Sequence, residues 1–326
     1  MRHWLCMLAA AIALAAPSAA ALAQEKDYPN RVIKFVVPFA TGSGGDTSGR
    51  FFGEQLARVI GQPVVVENRP GGSGSLGAVS VKNAPPDGYT VLVAGWSAQT
   101  VNPIVVSDLP YDPIKDFRPI SGLTRSMTSI VVSGSSSIKT LADLVAAAKA
   151  AKQPLNVGTI SVGQQIVLEW LASLTGVKFA NVPYKSGSQM LVDLSSGQID
   201  AAIEGLTTAG PVIHAGKVRA VAVAGEARHA QFPDVPTVKE SGFPEFINYG
   251  WSALYVRADT PDAIVKLLAD GMSKALANPA SREFVLKNGN ELMPLGPVEM
   301  RQFEESQLTR FRSVAEKAGI GKSSMR

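Results

Sequence analysis

The hydrophobic pattern of this chain alternates between two periods. Apolar runs of strand length fall near residues 32–38, 63–67, 89–95, 155–159, 179–184, 200–204 and 218–223, and stretches of helical spacing such as 46–60 and 141–151 fill most of the gaps. Alternation of this kind predicts an α/β protein with mainly parallel sheets and helices on both faces. Beyond Trp251 the pattern becomes strand and then mainly helix, over 261–277, 279–287 and 298–318. Pro261 and Pro279 fall at first helical turns, where a missing N–H costs nothing. These late helices are expected to return over the first half of the molecule. The stretch 102–137, rich in Pro, Ser and Gly, reads as a crossover between halves.

In open parallel sheets, ligands sit beyond the carboxyl ends of the strands. The turns that meet this condition are 40–46, 68–74, 96–99, 159–163 and 204–208. The first is the most informative. After the strand comes Phe39, Ala40, Thr41, Gly42, Ser43, Gly44, Gly45 and Asp46, where a helix begins. Glycines there leave backbone N–H groups uncovered beside the positive end of a helix, which suits a small anion without requiring an arginine. The region from Gly158 to Gly163 repeats the arrangement. Two such turns, far apart in sequence, predict two lobes closing on one acid.

The N-terminus has a short basic head at Arg2, an apolar stretch and then Ala21-Leu22-Ala23. This reads as a signal peptide cleaved near Ala23, so export to the periplasm is expected. The single cysteine, Cys6, leaves with it. The mature chain then has no disulfide, no thiolate nucleophile and no sulfur metal site. Its length, about 300 residues, predicts two domains. Net charge falls from +4 to +3 with loss of Arg2, and the scattered Lys and Arg residues argue against a nucleic-acid surface.

Several motifs have a plainer reading. Gly72-Ser-Gly-Ser-Leu-Gly77 matches GxGxxG, but the next strand ends Val93-Ala94-Gly95-Trp96 and lacks the acid a dinucleotide site needs, so a tight turn is expected. There is no GxSxG elbow, and the mature chain keeps only His214 and His229. His214, before a glycine, reads as a helix-end residue, and His229 lies in a polar loop, so the pair makes a poor metal site. Asp46 reads first as a helix cap that could also reach a ligand through water. Glu204 ends an apolar strand and needs partners, taken either from the hinge or from a hydroxyl or amine on a ligand. Trp96, with Ser97 and Ala98, is assigned to the pocket. Trp251 stays open between pocket wall and core, and Tyr184 could supply a hydroxyl.

Taken in order, Tyr28-Pro-Asn-Arg-Val-Ile33, the 38–50 turn, Val66-Glu-Asn-Arg-Pro-Gly-Gly72, Pro86-Asp-Gly-Tyr-Thr90, Tyr111-Asp-Pro-Ile-Lys-Asp-Phe117, Val182-Pro-Tyr-Lys185, Gly216-Lys-Val-Arg219 and Phe232-Pro-Asp-Val-Pro-Thr237 resemble the tripartite tricarboxylate transporter substrate-binding proteins, the TctC or Bug family. The resemblance implies a two-lobed periplasmic-binding-protein (Venus-flytrap) fold that captures carboxylates and is not an enzyme. Backbone amides of the first-lobe turn and of the Gly158 region would hold the ligand, often with bridging water. The chain departs from the family where Ala40-Thr-Gly-Ser43 replaces Pro-Pro-Gly-Gly. It departs again where Gly158-Thr-Ile-Ser-Val-Gly-Gln164 is followed by Val167 in a histidine position, and where Glu204 replaces Asp.

The expected organisation is a signal peptide over 1–23, a discontinuous first lobe over 24–124 and 249–326, and a second lobe over 125–248. Thr41, Gly42, Ser43, Gly44 and Gly45 would receive one end of a small organic acid and Thr159, Ser161, Val162 and Gly163 the other, with Phe39, Ala40, Asp46, Trp96, Ser97, Ala98, Gln164, Tyr184 and Glu204 around them. The ligand is expected to be a dicarboxylate, tricarboxylate or aromatic carboxylate, with no cofactor, metal or nucleic acid. The partners would be the membrane components of a tripartite tricarboxylate-type transporter, and the protein a monomer. A periplasmic receptor signalling to a sensor kinase is the alternative, and an exported hydrolase would need turnover. Gly163→Asp is expected to weaken binding through added charge and bulk.

Overall fold

A computed structural model describes residues 28–322; the expected leader and its cleavage near Ala23 lie outside them. Each predicted strand is present: β1 Ile33–Val37, β2 Val64–Asn68, β3 Thr90–Gly95, β5 Leu155–Thr159, β6 Phe179–Pro183, β7 Ala201–Gly205 and β8 Val218–Val223. Three more, β4 Phe117–Ser133, β9 Tyr249–Arg257 and β10 Glu291–Leu292, complete a ten-stranded sheet. The helices are α1 Gly44–Ile60, α2 Ser75–Lys82, α3 Asn102–Val105, α4 Leu141–Ala150, α5 Val162–Thr175, α6 Gly187–Ser195, α7 Leu206–His214, α8 Asp262–Ala277, α9 Pro279–Lys287 and α10 Pro297–Lys317.

Strand order is β2-β1-β3-β9-β4-β7-β5-β6, with β8 and β10 also paired to β4. The outer trios are parallel, as expected: β1 pairs with β2 and β3, and β5 with β6 and β7. The centre is antiparallel, because β9 runs against β3 and β4, and β4 runs against β7 and β8.

The segment 102–137, read as a crossover, does cross between the halves, but much of it is the 17-residue strand β4. Its first part, to Met127, pairs with β9, and from Thr128 onward it pairs with β7 and β8. Pro119, Gly122 and many Ser and Thr residues hide this strand from a hydrophobic-period reading. The buried hydroxyls are tied to neighbouring strands instead. Ser129 Oγ donates to the Glu204 carbonyl at 2.8 Å, and the Thr124 and Ser252 hydroxyls lie 2.8 Å apart. Asn248, where the chain returns, donates its side-chain amide to Thr128 Oγ1 at 2.7 Å and its backbone N–H to the Ala224 carbonyl at 2.8 Å. Polar pairing therefore adds to apolar packing where the two halves join.

The two largest hydrophobic clusters flank this joint. Phe35, Phe52, Leu56, Leu268, Met272 and Val285 form one, which α1, α8 and α9 cover. Helix α1 lies so close to the sheet that a Cβ on Gly49 would come within 2.8 Å of Val37 Cγ2. The second core gathers Ile130, Val157, Ile166, Leu171 and Phe246, and also takes Val101, Ile104, Phe311 and Ala315. The expectation that the late helices return over the first half holds for α8 and α9. Helix α10 spans both halves: Met300 packs with Trp251 and Tyr255 in a third cluster, and Phe311 packs with Trp170 and Phe246 in the second core.

Along α10 one acid is buried. Glu304 is 1% exposed, beside the Tyr255 hydroxyl and 3.2 Å from Arg301. Burial pushes its carboxyl up to about 7, against the opposing pull of Tyr255 and Arg301. A folded-state pKa above the unfolded value stabilises the fold most below the unfolded value, and that contribution is lost as pH rises through about 7. Glu304→Gln is therefore expected to flatten the fall in melting temperature between pH 5 and pH 8. An unchanged pH profile in calorimetry would refute the assignment.

Candidate functional site

The β1–α1 turn is organised by a carboxylate that ends up inside it. Ser43, in extended conformation, caps α1 by accepting the Asp46 amide at 3.3 Å. Asp46 does not cap the helix, as the sequence reading favoured; it lies in the first turn and is buried. Its side chain accepts the Gly42 amide at 2.9 Å and the Asn68 side-chain amide at 2.9 Å, and pairs with the Arg50 guanidinium at 2.9 Å. The Gly42 amide foremost, then Arg50 and Asn68, hold the Asp46 carboxyl below the usual carboxylate range despite its burial. Asn68 also donates to the Phe39 carbonyl at 3.0 Å and lies 3.2 Å from Thr41 Oγ1.

This arrangement divides the turn's amides into used and unused. Gly42 donates to Asp46, and Ser43 donates to the Ala40 carbonyl at 3.1 Å. The amides of Thr41, Gly44 and Gly45 make no hydrogen bond among the described residues. Gly44 and Gly45 are the first two residues of α1, so their N–H groups point along the helix axis with no carbonyl to receive them. The Phe39 ring covers the open Cα face of Gly45, and Ala40 and Thr41 are exposed beside it.

The second turn repeats the logic with different chemistry. Ser161 caps α5 by accepting the Gln164 amide at 3.2 Å, and the Gln164 side-chain oxygen reaches back to the Ile160 amide at 2.7 Å. Thr159 is buried, with its hydroxyl donated to Asn181 at 2.7 Å. The amides of Ser161, Val162 and Gly163 make no hydrogen bond among the described residues. Gly163 also meets the other half of the molecule: a Cβ there would sit 2.5 Å from Trp96 Cη2 and 2.9 Å from Val101 Cγ2. Thus the turn after β3 touches the start of α5.

Trp96 is half-buried, edge-on to Phe311 at 5.8 Å, and its Nε1 is buried without a partner. Ser97 and Ala98 open a π-helical turn, Ser97–Val101, in which Ala98 is core and its carbonyl accepts the Tyr111 hydroxyl at 2.7 Å. The same turn carries Gln99, which ends the candidate turn 96–99 but was not named as a binding residue, and Thr100, which lies just beyond it. Both are fully buried with unpartnered side-chain atoms. A polar pair after an apolar strand was the available signal, but the pattern of the segment gave no cue to a π turn.

Glu204 is 3% exposed. Its Oε1 accepts the Gly205 amide at 2.8 Å, and its unpartnered Oε2 faces the Gly187 backbone at the start of α6. Burial pushes its carboxyl up, while the Gly205 amide and the Gln164 side chain pull it down. Tyr184 donates its hydroxyl to Asp193 at 3.0 Å, so that group is already engaged within its own half. Trp251 fills core against Phe303. His214 ends α7 stacked on Phe232 at 4.7 Å, and His229 is buried beside the same ring. The Gly72–Gly77 run forms a tight turn with positive φ at Gly71, Gly72, Ser73 and Gly74.

Arg50 was also missed in the sequence, although an Asp four residues before an Arg at a helix start is a readable pair. It stands half-exposed at the rim, held by Asp46 and Asn68.

Residues 49–320 match the family described as the tripartite tricarboxylate transporter family receptor, TctC. A UPF0065 protein of Bordetella bronchiseptica is 31% identical over 309 residues, covering 95% of this chain and 91% of that protein. Among solved structures, R. palustris Rpa4515 with adipate superposes with a TM-score of 0.79 at 29% identity, covering 91% of this chain and 100% of that one. MatC from Rhodopseudomonas palustris, with bound malate, gives 0.73 at 30% identity, covering 88% and 99%. The chain belongs to the TctC family, which comprises solute-binding receptors and not enzymes.

Two measurements probe this geometry. Asp46→Asn is expected to cost about 1–3 kcal/mol of stability at pH 7, the scale of a charged hydrogen bond. Because the folded pKa of Asp46 is depressed, its contribution holds above the ordinary carboxylate value and is lost as pH falls through the lowered one. The gap between wild type and variant should therefore close in acid. Gly163→Ala is expected to displace the Trp96 ring and shift its fluorescence, with an overpacking cost of about 1–3 kcal/mol. In Gly163→Asp, the first effect would be this clash and not charge at a ligand. An unshifted spectrum for the alanine variant would show that the contact is loose.

Proposed function

We propose that this TctC-family chain is a periplasmic receptor that captures a small organic acid between two hinged lobes, 24–124 with 249–326 and 125–248, and delivers it to the membrane components of a tripartite tricarboxylate-type transporter. The observation that carries the reading is the pair of unspent helix starts, Gly44 and Gly45 in one half and Val162 and Gly163 in the other. Each presents backbone N–H groups and the positive end of a helix beyond the carboxyl end of a parallel strand. Adipate and malate, held by two relatives, each carry two carboxylates. A dicarboxylate spanning the two helix starts therefore fits this chain best, with Trp96 between them and Glu204 reading a donor group. Export to the periplasm follows from the leader pattern. Three to five charge-assisted hydrogen bonds of about 1.5–3 kcal/mol each supply micromolar affinity, about 8 kcal/mol, after the costs of ordering.

A thermal-shift screen of the mature protein, followed by calorimetry, tests the reading. Adipate at a hundredfold excess over its Kd is expected to stabilise the fold by about 2.7 kcal/mol, and the corresponding neutral diamide should give no shift. Equal responses to acid and diamide, or no response to any aliphatic, hydroxylated or aromatic acid, would overturn it.

A further inference from the structure

The two halves meet again outside the strand joint. Between α9 and β10 the chain turns through Gly289, whose φ of 63° and lack of a side chain allow close approach to Thr207; a Cβ would sit 3.3 Å from the Thr207 Cα. The Thr207 hydroxyl lies 3.0 Å from the Asn290 side-chain oxygen, 3.4 Å from the Gly289 carbonyl and 2.9 Å from the Ser126 hydroxyl. The Gln231 side-chain amide donates to the Leu286 carbonyl at 3.1 Å.

Arg125, on β4 just before the joint, completes the set. Its Nε donates to Glu291 at 2.9 Å and a terminal nitrogen donates to Glu226 at 3.3 Å. The guanidinium also lies over the Tyr249 ring at 4.3 Å, and the Tyr249 hydroxyl accepts the Glu226 amide at 3.0 Å. One cation thus neutralises a carboxylate from each half while stacking on the Tyr249 ring, an arrangement that suits a planar guanidinium better than an ammonium.

We propose that the segment from Leu286 to Glu291 is a closure latch, and that Thr207 and Arg125 are positioning residues for ligand retention. This rests on the hinged-receptor reading above. Rotation about the joint at Met127 and Thr128 parts the carboxyl ends of the strands. Thr207 stands at such an end, three residues after Glu204, so opening pulls it away from Gly289 and Asn290. Thr207 and Gln231 are exposed, so their bonds compete with water and are individually weak. A latch built this way opens thermally, and it biases the open–closed balance without contacting ligand.

The mature chain suits a direct test, because its only cysteine, Cys6, precedes the expected cleavage point. Val65→Cys and Val192→Cys, both at exposed positions in opposite halves, carry spin labels whose separation reports closure. In ligand-free protein, Thr207→Val and Arg125→Gln are each expected to move the distance distribution toward longer separations, with Arg125→Lys partway between. With adipate as probe, dissociation should quicken by about 3–10-fold while association changes less than twofold, as for loss of one or two weak hydrogen bonds. Unchanged distances and unchanged dissociation in both folded variants would overturn the latch. If wild type ignores adipate, the ligand assignment fails, and the ligand-free distances still decide the latch. Thr207→Val, at an exposed site, keeps the test open should Arg125→Gln fail to fold.

Discussion

The first amides of an α-helix have no carbonyl in their own helix to receive them, and in this protein that deficit sets the layout of both halves. At α1, one carboxylate takes the nearby Gly42 amide and a serine caps the Asp46 amide, leaving Gly44 and Gly45 unspent. At α5, Ser161 and the folded-back Gln164 satisfy two amides and leave Val162 and Gly163. Each turn thus meets part of its hydrogen-bonding capacity internally and leaves part unmet. In the proposed mode of binding, an anion between the two turns would meet oriented dipoles that need little rearrangement, which lowers the cost of holding charge.

Three buried carboxylates show how finely environment divides one chemical group. Asp46 is surrounded by an amide, a guanidinium and a carboxamide, and stays ionised to unusually low pH. Glu204 has one oxygen satisfied and one not, and burial raises it. Glu304 lies deep under α10, where burial outweighs Arg301 and Tyr255. Desolvation acts on all three; the number and alignment of donors decides the sign.

The joint between halves follows the same accounting. Strand β4 serves both halves of the sheet, and its buried Ser and Thr hydroxyls are bonded across to β7, β9 and Asn248. Directional bonds fix the register of a strand whose two faces both lie inside the protein, which apolar packing alone would leave free to slip. Helix α10 adds a second link by packing Met300 with Trp251 and Tyr255 and placing Phe311 in the core around Ile130 and Phe246. The halves are therefore joined by a strand, a return and a helix, with close approaches of Gly163 to Trp96 and of Gly289 to Thr207 beside them.

Local signals in the sequence determined the parallel strands, the Gly-rich turns and the proline-opened helices, because each depends on residues within a few positions of one another. The periodicity of Ile33 to Val37 and the glycines at 44 and 45 need no partner to be read. Tertiary structure alone decided what surrounds the helix-start amides, since Asp46 meets Asn68 and Gly163 meets Trp96 only after the chain has folded. It also decided that the Ser- and Thr-rich stretch from Phe117 is a central strand, because its hydroxyls are satisfied by residues as far away as Glu204 and Ser252. The physical reason is that a hydrogen bond or a close contact belongs to two residues at once, and one-dimensional order fixes only the nearer of them.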